Sequence, residues 1–214
     1  GDDWMRPGLW EEALRLGRVR AGLMPREPEV HGLVALMEIQ ASRSKARVRP
    51  TGEPVLLLEQ NRAQWDRLLI GRGLLALERA EKLCGAGGPY ALQAAIAACH
   101  ARALTADATD WARIATLYAT LAQLAPSPVV ELNRAVALSM AFGPAAGLVL
   151  VDALPTEPSL ANYHLLPTVR GDLLTKLGRF GEAHVEFERA AALTQNMRER
   201  ELLQERARGC AAKP

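Results

Sequence analysis

An apolar period of 3.6 residues runs through this 214-residue chain almost end to end, broken only by links that carry proline or glycine. That pattern turns folding into a problem of stacking amphipathic helices, because each must bury its stripe against a neighbour. The spacing predicts helices at about 8–24, 28–42, 62–83, 89–104, 110–124, 129–142, 144–154, 164–177, 180–193 and 196–208. The links hold Pro25 and Pro28, Gly85 to Pro89, Pro126 and Pro128, Gly143-Pro144, and Pro155 and Pro158. Links this short make sequential helices antiparallel neighbours. The exception is 43–61, where Arg43, Lys45, Arg47 and Arg49 precede Pro50 to Pro54; it reads as the one long loop, with room for a short turn at 55–58.

Composition agrees. Alanine and leucine supply 71 residues, whereas valine and isoleucine supply 16 and aromatics 5%. Helix formers dominate and strand formers are scarce, which excludes a β-sandwich, a barrel or a parallel sheet. A hydrophobic fraction of 49% is enough for a real core, so a disordered chain is excluded as well. The net charge of +2 does not mark a nucleic-acid binder. Cys84, Cys99 and Cys210 are odd in number and contain no CxxC, so neither a disulfide framework nor a zinc site is implied. A reducing cytoplasm is the expected location. No apolar run is long enough for a membrane span. The opening Gly1-Asp2-Asp3-Trp4 is unlike a signal peptide and lacks an initiator Met, so a fragment of a longer chain is expected.

Repeats sharpen the fold. Residues 164–195 fit the 34-residue tetratricopeptide pattern. Gly171 takes the small position at a close helix crossing, and Leu174 follows one turn later. Gly178 ends helix A and Phe180 starts helix B. Ala183, Phe187 and Ala190 then mark the packing face of helix B, with Phe187 filling the gap between the two. The N-terminus repeats the second half of that pattern through Glu12-Ala13, Gly17, Arg20 and Pro25, as if the chain opened on a helix B. Looser matches lie at 28–46 (Gly32, Ala35, Ala41) and 129–154 (Ala137, Gly143, Leu148). The last helix, with Arg198 to Glu201, Glu205, Arg206 and Arg208, has the polar outer face of a cap. The expected fold is therefore all-α, a tetratricopeptide-like helical-hairpin solenoid of about ten antiparallel helices, taken as a single domain over 1–214.

The middle of the chain is more distinctive than a generic repeat. Gly88 to Ala101 reads GPYALQAAIAACHA, Asp110-Trp111 and Ile114 to Tyr118 follow, and Pro126 to Ala137 reads PSPVVELNRAVA. Tyr163-His164-Leu165-Leu166 leads into Arg170-Gly171-Asp172-Leu173-Leu174, and Glu59-Gln60-Asn61-Arg62 precedes Trp65-Asp66-Arg67. Over about 9–208 this set resembles the helical C-terminal extension of one group of bacterial extracytoplasmic-function sigma factors. The resemblance implies a parent protein with upstream domains that bind RNA polymerase and read the promoter. For this piece it implies regulation or docking. At position 61 the chain has Asn where the family pattern has Asp.

Candidate sites follow from the helices. At 89–104, Leu92, Ile96, Cys99 and Ala103 form the core stripe. Tyr90, Gln93, Ala97 and His100 form a second stripe, with large polar groups and alanine between them, as a groove for a peptide or small molecule would need. The plainer reading is that Gln93 and His100 satisfy backbone groups at a helix junction. Asn133, Arg134, Tyr163, His164 and Arg170 sit on later helices, where one face of a solenoid can line the same groove or simply bond helix to helix. Asp110 and Asn196 read as N-caps. Trp65, Trp111 and Tyr118 read as core, and Trp4 and Trp10 as cover for the first helix.

The cations at 43–49 make a patch without interleaved aromatics. They read as a solvated loop, or as a contact to nucleic acid or an acidic polymerase surface. His31, His100, His164 and His184 lack HxxxH or HExxH spacing, Gly85 to Gly88 follows a helix rather than a strand, and no GxSxG occurs. Neither an enzyme nor a metal or cofactor site is expected. The expected role is regulation of transcription initiation by binding. The partners would be the parent's own sigma domains, core RNA polymerase, or a peptide or small-molecule signal, with no direct promoter contact and no membrane. The alternative is a stand-alone tetratricopeptide-type adaptor unrelated to transcription.

Overall fold

Proline opens helix after helix, because its fixed φ suits the first turn and its missing N–H would have no partner there. In the computed structural model, which describes residues 7–49, 55–84, 87–154 and 160–212, the helices are α1 Pro7–Leu23, α2 Pro28–Ser42, α3 Arg67–Cys84, α4 Pro89–Arg102, α5 Trp111–Leu124, α6 Pro128–Phe142, α7 Pro144–Asp152, α8 Leu165–Lys176, α9 Phe180–Leu193 and α10 Met197–Ala211. The fold is all-α, with no strand among the described residues. Short 3-10 turns at Ser44–Ala46, Leu57–Glu59 and Arg62–Gln64 lie in the long link between α2 and α3. Trp4, the stretch Pro50 to Pro54, Gly85-Ala86, and Pro155 and Pro158 lie outside the described residues.

Two boundaries differ from the sequence reading by three residues or more. The helix expected from residue 62 begins at Arg67, because Asp66 Oδ1 accepts the N–H groups of Leu68 and Leu69 and caps the helix there. Asn61 separately caps the 3-10 turn, its Oδ1 accepting from Ala63 N at 3.0 Å. Asparagine serves this bond as well as aspartate does, so the departure at position 61 leaves the local structure intact. The last helix runs on to Ala211, three residues past its expected end.

The helices gather into two compact units, residues 1–113 and 114–214. In the first, α2 packs against α1, α3 and α4, and α3 also touches α4. Ala35, Ile39, Leu77, Ala80, Leu92, Ala94 and Ala98 fill the space between them. The core stripe expected on α4 is buried throughout: Leu92, Ile96, Cys99 and Ala103. The α2–α4 crossing is close enough that a Cβ on Gly32 would lie 2.6 Å from Ala91 N.

In the second unit, α6 through α10 pack in succession, each helix on the next. The tetratricopeptide-type seam is seen directly. Phe187 is 1% exposed, Ala183 and Ala190 are fully buried, and the Phe187 ring would lie 2.7 Å from a Cβ on Gly171. Burying one such phenyl ring contributes roughly 2–3 kcal/mol. Gly178, at φ +76°, supplies the left-handed residue that ends α8, and α9 begins two residues later. At α10, Asn196 Oδ1 accepts from Arg198 N and Glu199 N, the expected cap, and the outer face is polar.

Candidate functional site

The residues expected to line a groove divide between the two units. On α4, Tyr90 is 45% exposed and Gln93 is exposed, its Nε2 donating to Pro89 O at 3.2 Å. Ala97 and His100, further along the same stripe, are buried. The stripe thus turns from surface to core along the helix, and His100 does not face outward with Tyr90 and Gln93. Its ring meets Trp111 edge-on at 5.2 Å and 77°. Burial pushes its pKa down to about 4, helped by the positive charges of Arg62 and Arg43.

In the second unit, Asn133 is exposed and Arg134 pairs with Glu131 on its own helix at 3.0 Å. Tyr163 packs against the core, with its ring 6.1 Å from that of His164. His164 Nε2 lies 3.4 Å from Glu199. Arg170 donates from Nε to Asp152 at 2.8 Å and from Nη1 to Glu186 at 3.0 Å, so it ties α8 to α7 and α9. Asp172 pairs with Arg206, whose guanidinium also lies over the Phe187 ring at 4.3 Å. Arg134, His164 and Arg170 therefore each meet a carboxylate, while Asn133 stands outward.

The more unusual chemistry lies in the first unit, around Trp65. The loop read as solvated is so only in part. Lys45 and Arg49 are exposed, but Arg43 and Arg47 are half-buried. Arg62, 5% exposed, sends Nη1 to the carbonyls of His100 (2.7 Å) and Ala103 (2.9 Å) and Nη2 to Thr109 Oγ1 (3.0 Å). It thereby satisfies carbonyls at the C-terminal end of α4 that have no partner within the helix. The Arg62 guanidinium lies 5.1 Å from the Trp65 ring centre and that of Arg43 lies 5.5 Å from it. Arg47 Nη2 donates to Gln40 Oε1 at 2.6 Å and to Gln40 O at 3.3 Å.

Several donors in this cluster have no hydrogen-bond partner: Nε of Arg43, Arg47 and Arg62, and the indole N–H of Trp65. Burial lowers the pKa of all three arginines. Arg43 falls furthest, to about 10, because the charges of Arg47 and Arg62 add to the effect of burial. All three remain cations near neutrality. On the other side of the link, an open recess of about 470 Å³ is lined by Lys45, Ala63, Gln64, Trp65 and Asp66, and by none of the three arginines. The legible signal for this cluster was Trp65, an aromatic three residues after Arg62. Its link to the cations at 43–49 depends on the tertiary fold.

A second groove in the same unit, of about 460 Å³, is lined by Arg18, Val34, Glu38, Arg72 and Leu75. Glu38, 2% exposed, is held there by both nitrogens of the Arg18 fork, at 2.6 and 3.0 Å. Among the described residues no three His, Cys, Asp or Glu side chains converge to hold a metal ion. No described helix is long and apolar enough to cross a membrane.

Residues 1–81 match a protein family described as of unknown function, DUF6596. Arg43, Arg47, Arg62 and Trp65 fall inside the matched stretch, whereas His100 and Thr109, which lie against Arg62, fall outside it. The chain is 43% identical over 214 residues to the uncharacterized protein R00370 of Rhizobium meliloti (strain 1021). That match covers 100% of this chain and 50% of the relative, so the chain spans about half the length of the curated relative it matches. No solved structure matches the chain.

Proposed function

We propose that this chain is a regulatory, protein-interaction domain of an extracytoplasmic-function sigma factor. In this reading it controls transcription initiation by engaging the parent's own sigma domains, core RNA polymerase or a signal ligand. The observation that carries the reading is the ordered motif series, 88–101, 126–137 and 163–174, which falls on α4, α6 and α8 of a helical-hairpin fold. Hairpin arrays of this kind work by presenting side chains from successive helices rather than by housing a reaction. The Rhizobium meliloti relative is compatible with the reading, since it carries as much chain again outside the matched half, room for the further domains of such a factor. A ligand would act by binding one docked state more tightly than the other.

The test is promoter-dependent run-off transcription by the parent factor, intact and with this region deleted, after the truncated factor is shown to be soluble. Lost transcription is the expected result and assigns the region to polymerase engagement or sigma-domain positioning. Increased transcription assigns it to autoinhibition. Unchanged transcription, or an upstream coding sequence without sigma domains, leaves the stand-alone adaptor as the better description.

A further inference from the structure

Helix α1 buries one side and leaves large apolar residues on the other. Toward α2, its chief neighbour, it presents the buried Leu14, and Gly17, where a Cβ would meet Met37 Sδ at 3.3 Å and Val34 at 3.5 Å. Successive residues step about 100° round a helix, so Leu16 lies almost opposite Leu14. Leu9, Leu16, Val19 and Leu23 share that outer side at spacings of seven, three and four residues, and they are between 48% and 78% exposed. No other described helix exposes as many large apolar side chains. Single exposed leucines need no explanation, but a stripe of them rimmed by charge marks a contact surface.

The stripe is symmetric about its own middle. Leu9 and Leu23 lie seven residues either side of Leu16, and Glu12 and Arg20 lie four either side. We propose that α1 is a self-association surface, on which a second copy of this chain packs its own α1 antiparallel about a two-fold axis at Leu16. Such a pair sets Leu16 against Leu16, Leu9 level with Leu23, and Glu12 level with Arg20, each of the last two contacts made twice. No like charges stand level in this register: Glu11 falls level with Ala21, Arg15 with Gly17, and Arg18 with Leu14. A slip of one turn in either direction sets Leu16 against Glu12 or against Arg20, and a parallel pair sets Glu12 against Glu12. The charges are free to serve. Arg20 has no ion-pair partner among the described residues, and Glu12 pairs with Arg15 on its own helix, an exposed contact that costs little to exchange. An unrelated helix would need an apolar stripe to fit here, but it would not need this symmetry. From Leu9 to Leu23 the stripe runs about 21 Å. One helix pair of that length buries less than a standard interface, so the dimer is weak and reversible, with an expected Kd of about 1–100 µM.

The proposal is independent of the sigma-factor reading, because association is measured on this chain by itself. Sedimentation equilibrium of the full chain, at concentrations from about 1 to 300 µM, brackets a weak interface and is expected to show monomer and dimer in exchange. Leu16→Glu brings two carboxylates together at the axis and is expected to weaken the dimer about tenfold or more. Glu12→Arg and Arg20→Glu, each alone, put like charges level and are expected to weaken it about three- to tenfold. The two exchanged together restore opposite charges, and the Kd is expected to return to within about twofold of the parent. Val149→Glu, at an exposed apolar position on α7, controls for general stickiness and is expected to change the Kd by less than about twofold. All of these positions are exposed, and circular dichroism with thermal unfolding below the Kd checks that each variant folds as the parent does. A monomer throughout overturns the proposal and leaves the stripe to a different partner. Growth past the dimer overturns the closed two-fold contact. An equal loss in Val149→Glu overturns the assignment to α1, and a double exchange that stays weak overturns the antiparallel register.

Discussion

The Cβ that Gly32 lacks would lie 2.6 Å from the backbone nitrogen of Ala91 and 2.9 Å from its Cα, so the obstruction is main chain and cannot rotate away. One methyl group at this position forces α2 from α4 or bends one of them. Overpacking of this kind costs about 1–3 kcal/mol. Gly209 is the matched control: it lies inside α10, and a Cβ there meets nothing within 4 Å. At an open helical position alanine is the better residue by roughly 0.5–1 kcal/mol. Gly32→Ala should therefore lower the urea midpoint, and Gly209→Ala should raise it, each with an unchanged m-value. If both substitutions moved the midpoint the same way, helix propensity rather than the crossing would govern Gly32.

At the scale of the element, α4 is instructive because it is buried on nearly every side, from Ala91 through Ala101 with only Gln93 exposed between them. A helix in that position has no polar face to orient it. Besides its apolar stripe of Leu92, Ile96, Cys99 and Ala103, the polar stripe joins the core at its far end, where Ala97 and His100 are buried. What was legible was local: Pro28, Pro89, Pro128 and Pro144 mark helix starts, and the Gly171 to Ala190 pattern marks a hairpin, because the causes lie within a few residues. What was not legible was distant: Arg62 finds its partners 38 to 47 residues away, and no spacing rule reaches that far. For the same reason the sequence does not show that Arg170, one of the eight residues expected at a groove, is drawn to Asp152 and Glu186.

Burial of α4 also sets a pH dependence. His100 titrates near its ordinary 6.5 when unfolded and near 4 when folded. Between those values the unfolded chain holds a proton that the folded chain does not, so stability falls as the pH drops through this window. The full effect is about 3 kcal/mol, present above 6.5 and gone by about 4. His100→Phe keeps an aromatic edge against Trp111 and removes the titration. Its unfolding free energy should change less between pH 7 and pH 4.5 than that of the parent chain, by the share due to one proton. Equal slopes would mean that His100 is solvated in the folded state.

At the scale of the molecule, an array in which each helix packs on the next has stability that is close to a sum of neighbour terms. The second unit, α6 to α10 in succession, is built that way, and a wound in it should therefore spread by neighbour rather than all at once. Ala183 is the place to make one. It is fully buried in the α8–α9 seam, and Ala183→Glu drives both extra volume and an unpaired charge into it. A loss of about 3–5 kcal/mol is expected. Val185, two residues along α9 and 61% exposed, is the control, and Val185→Glu should stay within about 0.5 kcal/mol of the parent. Amide hydrogen exchange reads where the loss falls. In Ala183→Glu, protection should collapse first in α8, α9 and α10, which meet at the seam, and decline less in α6, whose main packing is on α7. Equal loss across α6 to α10 would instead mark this unit as one cooperative block, held by its shared core and not by a chain of hairpins.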